Sequence, residues 1–134
     1  MFRRQPLCCV REPPDRVVGG GIGAALRHGV NRAALALLGS GFPLGTLLTN
    51  VSGSFLMGAF AGLLLAKGLD EHPLRLFLAT GVLGGFTTFS AFSLEAALMW
   101  QRGDLASLAA YVAASVLGSI GALLFGLAAA RALA

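Results

Sequence analysis

Charge is scarce in this sequence. Asp, Glu, Lys and Arg make up 12% of its 134 residues, about half of the roughly 25% carried by soluble globular domains. There is a single lysine, Lys67, with one tryptophan and one tyrosine. A chain so poor in polar side chains cannot cover a water-facing surface, which excludes an ordinary soluble fold. Ten basic residues outnumber six acidic ones, yet they are scattered along the chain. A nucleic-acid surface needs a cluster that neutralises several phosphates, so no nucleic-acid partner is expected. Cys8 and Cys9 are adjacent and make neither a framework disulfide nor a zinc site. The two histidines, His28 and His72, complete no nucleophile–His–carboxylate set, and no phosphate-binding loop is present. No enzyme and no organic cofactor are expected.

What is abundant is apolar. The chain is 56% hydrophobic with nineteen glycines, and its mean hydropathy is +0.79. This predicts an all-α integral membrane protein whose surface faces the lipid bilayer. A spanning helix takes about 20 mostly apolar residues. No charge occurs from Ala33 to Ala66, which is too long for one span, and Gly39-Ser40-Gly41-Phe42-Pro43 divides it with turn residues. The second span then runs from about Leu44 to Ala66, the third from about Leu74 to Met99 and the fourth from Leu105 to about Ala130. A polar connection, Lys67 to Arg75, separates the second and third. The first span is the weakest. Apolar Val17 to Leu26 is followed by Arg27, His28, Asn31 and Arg32 and preceded by Arg11-Glu12-Pro13-Pro14-Asp15-Arg16, a poor helix. Residues 1–16 read as a polar tail without a signal-peptide core, and residues 17–134 as a four-helix membrane domain. Gly19/Gly23, Gly58/Gly62 and Gly81/Gly85 have the spacing of close helix packing.

The basic residues carry little orientation signal. With the N-terminus inside, the cytoplasmic side holds seven of them and the opposite side three, namely Arg27, Arg32 and Arg102. The excess lies in the tail; without it the count is three against three, and the positive-inside rule has nothing to act on. Insertion in both orientations is then expected, and with it an antiparallel homodimer. Subunits this small need such a partner to enclose a path for a solute.

Polar groups at membrane depth are costly and face protein or a water-filled path. They concentrate in Gly19–Arg27, Gly45–Phe55 and Gly81–Ser93. In the last stretch Gly84-Gly85 precedes Thr87-Thr88-Phe89-Ser90 where the helix should be continuous. The glycine pair is expected to break it near the midplane, freeing backbone groups that suit an ion site. Phe89 and Phe92 share a helix face, and a ring edge is electropositive. Asn50 offers amide donors, while Thr46, Ser90, Ser93, Ser115 and Ser119 offer hydroxyls. Glu95 is the sole carboxylate in the three stronger spans. A path of neutral donors suits a small, strongly hydrated anion. Arg27, near a span end, is placed to draw anions into a vestibule by its field.

These residues carry a family pattern. The glycine-rich start through Arg27, the Gly45-Thr46-Leu47-x-x-Asn50-x-x-Gly53-Ser54-Phe55 run and the Gly84-Gly85-Phe86-Thr87-Thr88-Phe89-Ser90-x-Phe92-Ser93 run closely resemble the bacterial fluoride channels called Fluc or CrcB. The resemblance covers roughly Val17 to the C-terminus. It implies a four-helix channel domain forming a dual-topology, antiparallel homodimer in the bacterial inner membrane, with two pores that export fluoride down its gradient. It also implies a structural sodium ion at the dimer centre, held by the carbonyls of Gly84 and Thr87. By the same resemblance Phe89 and Phe92 are the pore phenylalanines and Asn50 the pore amide. Thr46, Ser90 and Tyr111 lie along the polar track, and Glu95 further along the third helix. Two departures stand out: Arg11 to Arg16 occupies the place of a usual hydrophobic run, and His28 that of a usual Tyr or Phe.

One alternative shares the length, the four spans and dual topology: a small multidrug or cation exchanger of the inner membrane. It needs a first-span carboxylate for proton exchange, and this first span has none. A non-transporting scaffold is argued against by Asn50 and the expected break.

Overall fold

The computed structural model describes residues 14–68 and 73–134. Cys8, Cys9, the tail through Pro13 and the loop residues Asp70, Glu71 and His72 lie outside the described residues. The described part is helical, with no strand. Helix α1 spans Pro14–Leu38 and α2 spans Leu44–Ala66. Helix α3 covers residues 73–86, most of it (Leu76–Leu83) wound with the wider π-helical turn. Helix α4 spans Phe89–Gln101 and α5 spans Leu105–Leu133. Thr87 and Thr88, both extended, separate α3 from α4.

Among the described residues, three stretches are long and apolar enough to cross a membrane: Leu44–Ala66, Leu76–Gln101 (which includes the break) and Leu105–Leu133. These are the three stronger spans of the sequence, and the protein is a multi-pass membrane protein. Helix α1 is 25 residues long but carries Arg27, His28, Asn31 and Arg32 along its second half. It also starts earlier than the expected Val17. Proline at the first helical position gives up an N–H that has no partner there anyway, and Asp15 in the first turn complements the helix dipole.

The glycine spacing is explained by packing. Helix α2 lies most extensively on α5, and α1 on α3. A Cβ at Gly58 would strike the Leu123 carbonyl, one at Gly62 the Ala130 methyl at 2.7 Å, and one at Gly126 the Phe55 carbonyl. On the other side, Gly19 and Gly23 of α1 face Gly81 and Gly85 of α3, with Gly19 Cα 3.2 Å from the Cβ position of Gly81. Without side chains between them the helices meet backbone to backbone, the geometry that dispersion needs where lipid offers no hydrophobic gain. The outside is apolar instead: Leu37, Leu117, Phe125 and Leu133 are all exposed. Among the described residues the largest fully buried side chains are Tyr111 and Thr49.

One expectation is corrected here. Gly84-Gly85 is not the break: Gly84 has helical dihedrals, φ −63° and ψ −38°, and Gly84–Phe86 is a helical turn. The chain leaves the helix at Thr87 (φ −80°, ψ 157°) and Thr88 (φ −151°, ψ 118°). Gly85 is small because the Gly20 backbone lies against it, its Cβ position being 3.0 Å from Gly20 Cα. The glycine pair serves the α1–α3 contact, and the break is made by the threonines.

Between α4 and α5 the turn is sharp. Gly103 has φ 73° and donates to the Trp100 carbonyl at 3.0 Å, while Asp104 N–H reaches the Met99 carbonyl at 3.1 Å, a Schellman ending. The Asp104 side chain then caps α5 by accepting from Ser107 N–H at 3.2 Å. Hydrogen bonds from Ser107 hold the Asp104 carboxyl below its ordinary value of 3.8. A lowered acid contributes stability above its unfolded pKa and loses it as pH falls through the folded one. The melting-temperature advantage of the native protein over Asp104→Asn, itself a good cap, should therefore shrink on going from neutral pH to about pH 3; an unchanged difference would refute the titrating cap. A second expectation concerns packing. Gly126→Val should cost about 3 kcal/mol or more through overpacking against α2. Gly121→Ala, with open space around it, should be neutral or stabilising by up to about 1 kcal/mol. Thermal unfolding in detergent compares the two.

Candidate functional site

The break is held from α2. Asn50 Nδ2 donates to the Thr88 carbonyl at 3.0 Å, and Asn50 Oδ1 accepts from Thr88 N–H at 2.7 Å. One carboxamide thus satisfies both backbone groups of a residue that has left the helix. In a membrane each such group left unpaired costs several kcal/mol. The Thr88 N–H is also the group that would have closed the helix onto the Gly84 carbonyl, so Asn50 releases that carbonyl from helical pairing. The Thr88 hydroxyl accepts from Ala91 N–H at 3.2 Å and caps α4; Ser90 Oγ lies 3.2 Å from it. Thr87 turns back, its hydroxyl donating to the Leu83 carbonyl at 3.1 Å.

Helix α4 leaves the break with Phe89, Phe92 and Glu95 three residues apart, hence on one face. The Phe89 and Phe92 ring centroids are 5.5 Å apart. Phe92 lies 5.3 Å from the Tyr111 ring, and Phe42 meets the same ring edge-on at 5.5 Å. Tyr111, wholly buried, donates its hydroxyl to Glu95 Oε2 at 2.5 Å, and Thr46 donates to Glu95 Oε1 at 2.9 Å. Thr49 supports Thr46 by donating to its carbonyl at 3.0 Å. Phe89 is 78% exposed, an aromatic at the break that the described residues leave mostly uncovered.

Two cavities flank this row. One of about 340 Å³ is lined by Asn50, Thr87, Thr88, Phe89, Phe92 and Ser115, with Ser119 beside them. The other, about 300 Å³, is lined by Asn31, Phe42, Thr46, Glu95 and Arg102. The Phe92–Tyr111 pair and the Thr46–Glu95 hydrogen bond stand between them. The structure thus brings together Asn50, Phe89, Phe92, Thr46, Tyr111, Glu95 and, at the edge of the break, Ser90. Arg27 differs from expectation. It is deep inside α1, because that helix runs on to Leu38, and its Nη1 donates to the Thr87 carbonyl at 3.3 Å instead of standing free at a span end.

Sequence reasoning passed over Thr88 as the anchored residue, Thr49, Phe42 and Asn31. Asn31 lines the second cavity, its amide oxygen buried without a hydrogen-bond partner among the described residues. Thr49 is three residues from Thr46 on α2, a spacing that the sequence displays. Phe42 sits in a turn and Asn31 in the weak span, where periodicity gives no signal.

Comparison with known proteins decides the family. The family model described as CrcB-like protein, Camphor Resistance (CrcB), matches residues 16–127. The chain belongs to the CrcB family. Among its relatives, a protein of Mesorhizobium japonicum named fluoride-specific ion channel FluC is 52% identical over 117 residues, covering 87% of this chain and 94% of the relative. The fluoride-specific ion channel FluC 2 of Nitrobacter hamburgensis is 51% identical over 114 residues, 85% of this chain and 92% of the relative. A Methylobacterium nodulans protein of the same FluC name is 54% identical over 103 residues, 77% and 82% of the two chains. The match reaches into all five helices, so the break and the row of side chains beside it are parts of a CrcB-family chain.

Substituting Asn50 tests the clamp. Asn50→Leu leaves Thr88 N–H and C=O without their partner, each unpaired group costing several kcal/mol at that depth. A melting temperature in detergent that falls steeply relative to the native protein is the expected result. An unchanged value would mean that the break stands without the amide.

Proposed function

We propose that this protein is a fluoride-selective channel of the bacterial inner membrane that lowers cytoplasmic fluoride by passive export. Two subunits in antiparallel orientation, each contributing four membrane-crossing helices, enclose two pores. One observation carries the reading: the row Asn50–Thr88, Phe89, Phe92, Tyr111, Thr46–Glu95 runs from residues lining one cavity to residues lining the other and contains an amide, hydroxyls, ring edges and one carboxylate but no lysine or arginine. A small anion loses its water only where donors replace it, and hydroxyl and amide donors with electropositive ring edges do so without a formal positive charge that would trap it. Relatives at about half identity bear the name fluoride-specific ion channel, which favours fluoride as the anion.

The path begins at the break, where Asn50 and Ser90 stand with exposed Phe89. It passes Phe92 and reaches the hydroxyls of Tyr111 and Thr46, both directed at Glu95. Exposure of Phe89 on one subunit is what a pore shared with a second subunit requires. The expected sodium ion finds suitable donors. The Gly84 carbonyl is freed by the Asn50–Thr88 pairing, and the Thr87 carbonyl, at the first extended residue, has a second lone pair beyond the one Arg27 uses. Two uncharged hard oxygens suit a monovalent cation. Gly84 and Thr87 would hold it, and it would supply a fixed positive charge at the dimer centre.

The reading is tested by purified protein in liposomes loaded with fluoride or chloride. Fluoride efflux with chloride retained is the expected outcome; equal fluxes of both would overturn selectivity. Phe89→Ile, which keeps the apolar bulk and removes the ring, should slow fluoride efflux about tenfold or more, the loss of an aromatic-edge contact.

A further inference from the structure

The row of side chains leaves one strong interaction unused. Arg27 is deep inside a 25-residue helix at membrane depth, where a guanidinium must find a partner. Among the described residues no carboxylate is placed against it: Glu95, the sole acid of the three apolar spans, is taken up by Thr46 and Tyr111. The partner that Arg27 does have is the Thr87 carbonyl, at 3.3 Å, across 60 residues of sequence. Helix α1 is brought there by its glycines. Gly23 lies against the Val82 carbonyl and the Gly85–Phe86 peptide, and Arg27, four residues on, falls on the same face, one turn further toward the break.

We propose that Arg27 is a positioning residue: its guanidinium fixes the Thr87 carbonyl and so clamps the break from α1, as Asn50 clamps it from α2. The Thr87–Thr88 peptide is then held from two helices, its C=O by Arg27 of α1 and its N–H by Asn50 of α2, which also holds the following C=O, that of Thr88. The planar guanidinium presents several N–H groups in a fixed fork, so it can orient a carbonyl and not only attract it. The direction of the Thr87 carbonyl sets the first extended peptide, from which α4 and its Phe89–Phe92–Glu95 face depart. Arg27 therefore acts on the path through the backbone, with its charge already committed. The positional claim stands on the hydrogen bond; its meaning for ion passage rests on the channel reading above.

The sequence offers a direct probe. Thr-Thr occurs once, at Thr87-Thr88. Labelling threonine with carbonyl 13C and amide 15N makes this the one peptide bond with both labels, giving a single correlation in a carbonyl–amide NMR spectrum of the full chain in detergent or bilayers. The carbonyl shift reports the Arg27 bond and the nitrogen shift reports the Asn50 bond. Arg27→Met should move the carbonyl signal upfield and leave the nitrogen close to its native position. Arg27→Gln, too short to reach, should do the same, and serves if the methionine variant does not fold. Arg27→Lys, which restores a donor of similar reach, should return the carbonyl toward its native shift. A carbonyl unmoved in a folded Met or Gln variant overturns the proposal. If fluoride efflux falls at the same time, Arg27 acts by its long-range field. Replacing sodium with a larger cation checks the ion site separately: a native signal insensitive to sodium would sink the sodium reading and leave the Arg27 clamp intact.

Discussion

The structure depends on one pairing, the carboxamide of Asn50 against the backbone of Thr88. A carboxamide has the shape of a peptide group, with carbonyl and N–H side by side, so it can stand in for a neighbouring strand on a single residue. That substitution makes an extended residue tolerable in the middle of a membrane span, where water is not available to satisfy the freed groups. Without it the N–H and C=O of Thr88 would stand unpaired at that depth, and no group of α2 would hold the break that sets α4 off from α3. The capping hydroxyl of Thr88 completes the device from the other side: the residue that ends one helix starts the next.

Around this point the usual partition of a protein is reversed. Many large apolar side chains face outward, and the buried described residues are mostly glycine, threonine and serine, joined by Tyr111, Leu83, Met99 and two alanines. Such an interior has two consequences. Helices joined by glycine contact tolerate almost no added volume, since a single methyl at Gly23, Gly58 or Gly126 meets a neighbouring carbonyl. And the buried polar groups must be satisfied by one another, as Thr46, Tyr111 and Glu95 are. The close packing of α1 on α3 and of α2 on α5 is therefore what keeps the break in reach of both Asn50 and Arg27. Rigidity in the two helix pairs holds open an irregular segment between them.

The helices were largely legible in the sequence because the signal that marks them is coarse. The charge-free run from Ala33 to Ala66 with its Gly-Ser-Gly-Phe-Pro interruption marks the α1–α2 turn, and Arg102-Gly103-Asp104 marks the α4–α5 turn. That α3 ends short of Phe89 was also legible, but its cause was not. Glycine pairs are read by propensity as weak points, whereas Gly85 is occupied by a contact with Gly20 that only the folded chain reveals. The π-helical winding of Leu76–Leu83 leaves no trace in an all-apolar stretch, because a shift of period shows only when polar residues mark the faces. For the site, Asn50, Phe89 and Phe92 stood out as residues of unusual type at depth. Asn31 and Phe42 did not, since their meaning lies in a cavity assembled from three separate helices.

The scarcity of charge bears on transport as well as on location. An anion path needs attraction enough to offset dehydration and weakness enough to release the ion at each step. A free guanidinium in a narrow, poorly screened segment would supply too much of the first, since Coulomb attraction grows as the surroundings lose water. The one arginine at depth is directed at the backbone of the break, where it donates to the Thr87 carbonyl. The one carboxylate is treated in a complementary way: two hydroxyls spread its charge without neutralising it. Those hydroxyls are rotors, able to turn from a carboxylate oxygen to another small anion. For the proposed path this means that the donors nearest the ion are already oriented for negative charge, and that neither formal charge at membrane depth acts as a trap.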